Sequence, residues 1–251
     1  MNVHDSERPA GQNDRAAALD VERAPFARSA LNTAGNVSSV AVLLFGDERD
    51  RRLPRPLDGL PSHRADSPAD IDTAIGPYRR LVVVGADADL AAVLTRLLRA
   101  DQLDIEVAYA PPRHTLATRI YRLRAGRRAA RRARRGSARR VALIRDETGS
   151  VIVGRASWLP ADDRELIHGE AVVDDTTLFD GDVAAVRIEP TLAMPGLKAS
   201  VHNGIRRRWV AGRAAQLGST GVTVVRDGIP APHAARRSTF YRNVEGWLLV
   251  Q

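Results

Sequence analysis

The chain has 251 residues, a formal net charge of +8 and no cysteine. That length suits one large domain or two smaller ones, each with a hydrophobic core. The lack of cysteine excludes a disulfide scaffold and a thiolate zinc site, and it fits a reducing compartment. No apolar run reaches the roughly 20 residues that span a bilayer, and the N-terminus lacks the apolar stretch of a signal peptide. We therefore expect a soluble, cytoplasmic protein.

The positive charge is confined to one segment. Residues 122–140 hold ten arginines and no acid, so the rest of the chain carries 28 basic and 30 acidic groups. Lys198 is the only lysine among the 38 basic residues. Such a preference for arginine is typical of a GC-rich genome, so arginine content alone does not indicate a polyanionic partner.

The first seventy residues contain one clear element. Residues 1–36 mix charged residues with proline and alanine, and we expect them to form a poorly ordered tail. Val40–Phe45 is apolar throughout and predicts a buried strand. Residues 47–70 carry four prolines and many charges, which predicts a long surface loop.

The next forty residues predict a βαβ unit. Arg79–Gly85 is a β-branched run of the kind found inside parallel sheets that are covered on both faces. Leucines and valines at helical spacing over Asp87–Ala100 predict an amphipathic helix. Asp104–Tyr109 predicts the following strand. We therefore assign residues 37–139 to an α/β domain with a parallel sheet.

The second half predicts a different architecture. Glycine-containing turns, among them Asp180-Gly181 and Asp227-Gly228, separate short apolar runs. These runs predict strands at 141–144, 151–153, Glu170–Val173, Val183–Ile188, Val222–Val225 and Trp247–Val250. Residues 140–251 are therefore predicted to form an antiparallel, β-sandwich-like domain. Phe240 and Trp247 are expected in its core.

The arginine-rich segment predicts an amphipathic helix. Its arginines occupy one arc of a helical wheel, and alanines occupy the opposite arc. Like charges four residues apart each cost about 0.2–0.5 kcal/mol. The arginine face has three interpretations: a solvated surface, a surface for anionic membrane lipid, or a surface for nucleic-acid phosphates. The candidate anion-binding residues are Arg124, Arg127, Arg128, Arg131, Arg132 and Arg135.

Most catalytic motifs are missing from the sequence. The six histidines are too far apart in sequence for the two-histidine zinc motif, and there is neither a nucleophile elbow nor a phosphate-binding P-loop. A cluster of acids, Asp174, Asp175, Asp180 and Asp182, offers one hypothetical site in the β-rich half. Its Asp-Gly-Asp portion also predicts a simple turn.

The turn at Gly85–Asp89 (Gly-Ala-Asp-Ala-Asp) is the strongest candidate. It places a glycine and two carboxylates between a buried parallel strand and the start of a helix. Such turns lie at the carboxyl edge of the sheet, where α/β proteins bind phosphorylated ligands. The alternative is a helix cap whose acids complement the helix dipole.

This layout resembles the diacylglycerol-kinase-like lipid kinases, which are relatives of the NAD kinases. Their nucleotide turn is Gly-Gly-Asp-Gly-Thr; here Gly85 and Asp87 keep the first glycine and the aspartate, while Ala86, Ala88 and Asp89 replace the rest. Alanine resists the backbone conformations that glycine allows. An unscreened extra carboxylate near a phosphate costs on the order of 4 kcal/mol.

Three further segments carry the resemblance, which covers roughly residues 37–251. The family's second nucleotide loop, Pro-Leu-Gly-Thr-x-Asn-Asp, corresponds to 111–119, where Thr115 stands in the place of the threonine. Gly136 matches the glycine between the arginine helix and the second domain. Asp227-Gly228 matches a family Asp-Gly-Glu, with Ile229 in place of the acid.

The resemblance implies a nucleotide-binding α/β domain packed on a β-sandwich, with the site in the cleft between them. It implies ATP and Mg²⁺ as cofactors and phosphoryl transfer to a lipid hydroxyl. Gly85, Asp87, Asp89 and Thr115 would contact the nucleotide, and Asp87 and Asp227 would be catalytic. The departures predict a diverged protein, either an active kinase or one without activity. The alternative function is a non-catalytic module that binds anionic lipid, at the membrane periphery, or nucleic acid through the arginine face.

Overall fold

The computed structural model describes residues 39–46, 52–162, 164–202 and 208–251. The tail predicted at residues 1–36 lies outside them. The described helices are α1 (Pro68–Ala74), α2 (Asp87–Arg99), α3 (Leu116–Ile120) and α4 (Gly126–Arg135), with a 3₁₀ turn at Arg55–Leu57. None of these helices has the length and apolar character that crossing a membrane requires.

The strands of the described residues fall into two sheets. In chain order, the strands are β1 (Val40–Leu44), β2 (Ser62–Arg64), β3 (Arg80–Val84), β4 (Glu106–Tyr109), β5 (Ala138–Val141), β6 (Ile144–Asp146), β7 (Val151–Ile152), β8 (Ala156–Pro160), β9 (Ile167–Val173), β10 (Thr176–Val183), β11 (Val186–Pro190), β12 (Leu197–Val201), β13 (Val210–Gly212), β14 (Ala214–Arg226), β15 (Ile229–Pro230), β16 (Ala235–Arg242) and β17 (Trp247–Val250).

The first sheet has the order β2-β1-β3-β4-β17-β5 and is parallel except for β5. Its central strands are covered on both faces, as their apolar runs predicted. Leu43 and Val83 pack with α2 on one face. Val42 and Val82 pack with the alanines of α4 on the other. The expected α/β domain with a parallel sheet is confirmed.

The segment predicted as a long loop at 47–70 is partly structured in its described portion. It contains the 3₁₀ turn, β2 and the start of α1. Strand β2 is short and polar and pairs with β1 through the backbone, so its sequence carries no apolar signal. Helix α1 begins with a capping box between Ser67 and Asp70 and with Pro68 in its first turn. The prediction of a loop over this whole segment was wrong. The backbone pairing of β2 and the capping residues of α1 are polar features, so they leave no apolar pattern in the sequence.

The second sheet is antiparallel, as expected for the β-rich half. Its main path is β13-β12-β11-β8-β14-β16-β6-β7, and the hairpin β9–β10 joins it through β14. The core contains Trp158, whose indole Nε1 donates to the Ser238 hydroxyl at 3.0 Å, and Phe240, as expected. Three local predictions were wrong. The strand predicted at 141–144 spans the end of β5 and the start of β6, which lie in different sheets. Val183–Ile188 spans the end of β10 and the start of β11, and Asp180-Gly181 lies inside β10 rather than at its turn.

The last strand does not join the β-rich domain. Strand β17 lies in the first sheet, parallel to β4 and antiparallel to β5. Trp247 is therefore buried in the core of the α/β domain, which corrects the expectation that it anchors the β core. A short apolar run of four residues fits either sheet, and only the path of the whole chain decides between them.

Candidate functional site

In the turn after β3, an aspartate side chain bonds to the backbone of the same turn. The Asp89 carboxylate accepts a hydrogen bond from the Ala86 backbone N–H at 2.7 Å, which places it as the capping acid of α2. It also lies against Gly85, where an added Cβ would collide with it and with Phe45. Burial raises the pKa of the Asp89 carboxyl, although the hydrogen bond from Ala86 partly offsets that rise.

Asp87 points toward the next strand rather than into solvent. One carboxylate oxygen accepts from the Tyr109 hydroxyl at 2.9 Å, and the other accepts from the Ala117 N–H at 3.1 Å. Asp87 therefore ties the end of β4 and the first turn of α3 to the start of α2. Burial raises the pKa of the Tyr109 hydroxyl, and the nearby charge of Asp87 raises it further.

Thr115 acts as a helix cap. Its hydroxyl accepts from the Thr118 N–H at 3.2 Å, and the Thr118 hydroxyl accepts from the Thr115 N–H at 2.8 Å. This reciprocal pair begins α3. Thr115 also lies within reach of the Tyr109 hydroxyl. The fold thus brings Thr115 close to Asp87, as the resemblance implied, with its hydroxyl used in the cap.

Asp227 belongs to the tight turn between β14 and β15 and reaches back across the domain junction. Its carboxylate accepts from three consecutive backbone N–H groups, of Val153 at 2.9 Å, Gly154 at 2.7 Å and Arg155 at 2.8 Å. Burial raises the pKa of the Asp227 carboxyl to about 6, against the opposing effect of the three donors, and the charge of Asp87 adds to the rise.

Gly154 separates the two carboxylates. A Cβ at this position would lie 2.9 Å from Asp227 Oδ1 and 2.9 Å from Asp87 Oδ2. The fold therefore brings Asp87 and Asp227 together at one glycine, on the carboxyl side of the parallel strands. Sequence reasoning missed Gly154 because no motif surrounds it, and its role depends on two side chains from distant parts of the chain.

Two buried aromatic residues adjoin this carboxylate pair. The rings of Tyr121 and Trp247 meet edge to face with centroids 5.5 Å apart. Within the described ranges, neither the Tyr121 hydroxyl nor the Trp247 indole N–H has a hydrogen-bond partner. Burial raises the pKa of the Tyr121 hydroxyl, the charges of Asp227 and Asp87 raise it further, and the nearby Trp247 indole N–H lowers it. The Tyr121 hydroxyl thus lies in a region of negative potential.

The turn does not fit a bound nucleotide with Mg²⁺. The Ala86 N–H, which would face a phosphate, already donates to Asp89, and Asp87 is used by Tyr109 and Ala117. In the part of the chain that the structure describes, no lysine or arginine side chain hydrogen bonds to Asp87, Asp89 or Asp227. There too, no three His, Cys, Asp or Glu side chains are grouped to hold a metal ion.

Helix α4 has the two faces that its sequence predicts. Ala129, Ala130 and Ala133 are buried against the first sheet. Arg124, predicted on this helix, precedes its first residue, Gly126. The six candidate anion-binding arginines are all exposed, and together they form what we call the arginine face: Arg124, Arg127, Arg128, Arg131, Arg132 and Arg135. None of the six side chains has a hydrogen bond or ion pair to another described residue.

The acidic residues of the β-rich domain do not converge. Asp174 lies in the β9–β10 turn, where its carboxylate accepts from the Arg213 and Ala214 N–H groups at about 3 Å. Asp182, farther along β10, pairs with His168 at 2.9 Å on an exposed surface. This cluster in the sequence is not a cluster in space.

Comparison with known proteins identifies the fold. No family model matches the sequence, and no curated protein matches it. Solved structures do match its fold. A diacylglycerol kinase from Bacillus anthracis str. Sterne has a TM-score of 0.61 at 10% identity, over 85% of this chain and 96% of that one. A diacylglycerol-kinase-like structure from the same organism reaches a TM-score of 0.65 at 10% identity, over 85% and 96%.

The third structure is an NAD kinase from Archaeoglobus fulgidus in complex with ATP. Its TM-score is 0.56 at 13% identity, over 84% of this chain and 93% of that one. Identities this low show the fold alone. The chain has the two-domain fold shared by the diacylglycerol-kinase-like proteins and the NAD kinases, as its motifs led us to expect.

Proposed function

We propose that the chain is a diverged lipid-kinase-like protein that keeps the fold, has lost nucleotide binding at Gly85–Asp89, and binds an anionic membrane surface through the arginine face. It would act in the cytoplasm, at the membrane periphery. The observation that carries the loss of nucleotide binding is the Asp89 carboxylate on the Ala86 N–H, where a phosphate would otherwise lie.

Two physical effects support the loss of nucleotide binding. A phosphate would have to displace a charge-assisted hydrogen bond between Asp89 and the backbone, of a kind worth about 1.5–3 kcal/mol. It would then meet the negative charge of Asp87. With these two carboxylates in place, the backbone of the turn is no longer an anion site.

The charge and exposure of the arginine face support membrane binding. Each Arg near an anionic bilayer contributes about 1 kcal/mol, so several of them together suffice for association without an apolar anchor. Helix α4 is fixed to the body of the protein by its buried alanines, so its guanidinium groups are presented on a rigid surface. The alternative is that water alone solvates the arginine face, and binding to vesicles is judged against that alternative.

The nucleotide part of the proposal is tested by thermal unfolding with ATP and Mg²⁺. A ligand at about 100 times its dissociation constant adds roughly 2.7 kcal/mol to the stability of the folded state. We expect no change in Tm at millimolar nucleotide, with an active lipid kinase of this fold as the positive control. A saturable rise in Tm would contradict the proposal.

The membrane part is tested by flotation with vesicles of phosphatidylglycerol and with neutral phosphatidylcholine vesicles. We expect binding to the anionic vesicles only. The double substitution Arg127→Gln and Arg128→Gln is expected to weaken it about tenfold or more. The matched control, Arg236→Gln and Arg237→Gln, removes two exposed arginines of the β-rich domain and is expected to leave binding within about twofold. Equal losses in both variants, or binding to duplex DNA without binding to vesicles, would overturn the assignment.

An active lipid kinase is the second candidate. The observation in its favour is Asp227, whose carboxyl has a pKa raised by burial to about 6 beside Asp87 and so is suited to proton transfer near neutral pH. Phosphate transfer from ATP to diacylglycerol in vesicles, abolished by Asp227→Asn, would establish it in place of our proposal.

A further inference from the structure

A cavity separates α3 from α4 on the carboxyl side of the parallel strands. It has a volume of about 370 Å³ and is lined in part by Tyr109 of β4 and by Val250, at the end of β17. Its floor includes Ala129 and Ala133, whose small side chains leave the space open. A cavity of this size falls within the range that holds small molecules.

The wall of this cavity is strongly basic. Four arginines line it, Arg119, Arg122, Arg124 and Arg132, together with His114, and all five residues are exposed. No aspartate or glutamate is among the lining residues. None of the four arginine side chains has a hydrogen bond or an ion pair to any described residue. Four cationic residues thus line one cavity that has no aspartate or glutamate in its wall.

The four arginines come from separate elements, so their convergence is a feature of the tertiary structure. Arg119 belongs to α3, Arg122 and Arg124 to the connection after it, and Arg132 to α4. Arg122 holds a left-handed backbone conformation, φ 55°, which costs a non-glycine residue about 1–2 kcal/mol. If α4 were only a solvated arginine helix, the arginines of α3 and of the connection would have no reason to line the same cavity as Arg132.

Phosphate is the ligand chemistry that matches this wall. A guanidinium group donates two parallel hydrogen bonds to phosphate oxygens, and four of them neutralise the charge of a diphosphate. Simple carboxylates carry too little charge to offset four guanidinium groups.

We propose that this cavity binds a phosphomonoester or diphosphate group, either of a soluble metabolite or of a lipid headgroup. The cavity lies next to the turn at Gly85–Asp89, because the hydroxyl of its lining residue Tyr109 donates to Asp87. It shares Arg124 and Arg132 with the arginine face, but it also includes Arg119 and Arg122, which are not part of that face. The proposal therefore does not depend on membrane binding by α4.

The test is titration of inorganic pyrophosphate into the full chain by calorimetry, at about 0.15 M salt so that exposed charges are screened. Saturable binding is expected. Arg119→Gln with Arg122→Gln should weaken it about tenfold or more, while the control Arg236→Gln with Arg237→Gln should change it by less than about twofold. Thermal unfolding of each variant verifies that it folds, which we expect because these side chains have no partner to lose.

Two results would overturn the proposal: no saturable binding at millimolar pyrophosphate, or equal weakening in both double variants. Competition then separates the two sources of phosphate. Displacement of pyrophosphate by vesicles that contain phosphatidic acid supports a headgroup ligand, and displacement by glycerol 3-phosphate alone supports a soluble one.

Discussion

Asp87 and Asp227 meet at Gly154, and each carboxylate is held by backbone N–H groups rather than by a cation. Three N–H donors explain how Asp227 tolerates partial burial beside a second acid, because hydrogen bonds to the charged form oppose the cost of desolvation. Asp89 uses the same kind of bond to close its turn. At the residue scale, all three carboxylates therefore accept hydrogen bonds from the protein itself, which supports a structural role for them.

Gly154→Ala tests how tightly this junction is packed. A Cβ 2.9 Å from each carboxylate must push one of them aside, so we expect a loss of about 1–3 kcal/mol in the free energy of unfolding. Urea denaturation measures it. Gly218→Ala is the matched control, because a Cβ there meets nothing within 4 Å and its φ is not in the left-handed region. A loss at position 154 no greater than at position 218 would contradict the close approach.

Among the secondary-structure elements, α4 needs the most support, because it carries many like charges. Its alanines pack on the sheet, and Arg134 donates to the backbone carbonyls of Pro56 and Asp58 at 3.1 and 3.3 Å. Its C-terminus is held by Arg80 of β3, which donates to the carbonyls of Ala133 and Gly136 at 2.9 Å each. A cation at a helix C-terminus is stabilised by the helix dipole.

Arg80→Ala is expected to reduce the free energy of unfolding by about 2 kcal/mol, since it removes charge-assisted hydrogen bonds at a largely buried site. The Arg80 side chain is 13% exposed and also pairs with Glu106. The neighbouring Arg79→Ala provides the control, because that side chain is 79% exposed and reaches Glu106 only at 3.5 Å. Its effect should stay within about 0.5 kcal/mol. Equal effects at the two positions would rule out the helix-terminal role of Arg80.

At the scale of the whole molecule, the chain crosses between the two sheets more than once. It leaves the first sheet after β5, builds the antiparallel sheet, and returns as β17 to lie between β4 and β5. Strand β7 packs against α2, and the Val151 N–H donates to the Thr95 hydroxyl of that helix at 3.0 Å. The core of the α/β domain therefore includes residues from the β-rich half.

This exchange of strands predicts that the two sheets unfold together. Two single-tryptophan proteins report on them separately, one that keeps Trp247 in the first core and one that keeps Trp158 in the second. The other tryptophans are replaced by phenylalanine. We expect their fluorescence to give the same midpoint in urea as circular dichroism does on each protein, as in a two-state transition. Separate fluorescence and circular dichroism midpoints in either protein would show that the domains are independent.

The sequence alone was sufficient for the features that depend on local pattern. Apolar runs predicted β1 and β3, helical spacing predicted α2 and α4, and the order of the elements predicted the kinase-like fold. These succeed because the periodicity of buried residues follows directly from strand and helix geometry. The turn between β3 and α2 drew attention to Asp87, and the resemblance to the kinase family drew attention to Asp227, but neither predicted that the two residues meet at Gly154.

Only the tertiary structure decided what those residues do. It placed β17 in the first sheet and put Gly154 between the two carboxylates. It also brought Arg119 and Arg122 to the same cavity as Arg132. Each of these contacts joins residues or backbone groups whose meeting depends on how the whole chain packs, and a local pattern carries no information about that packing.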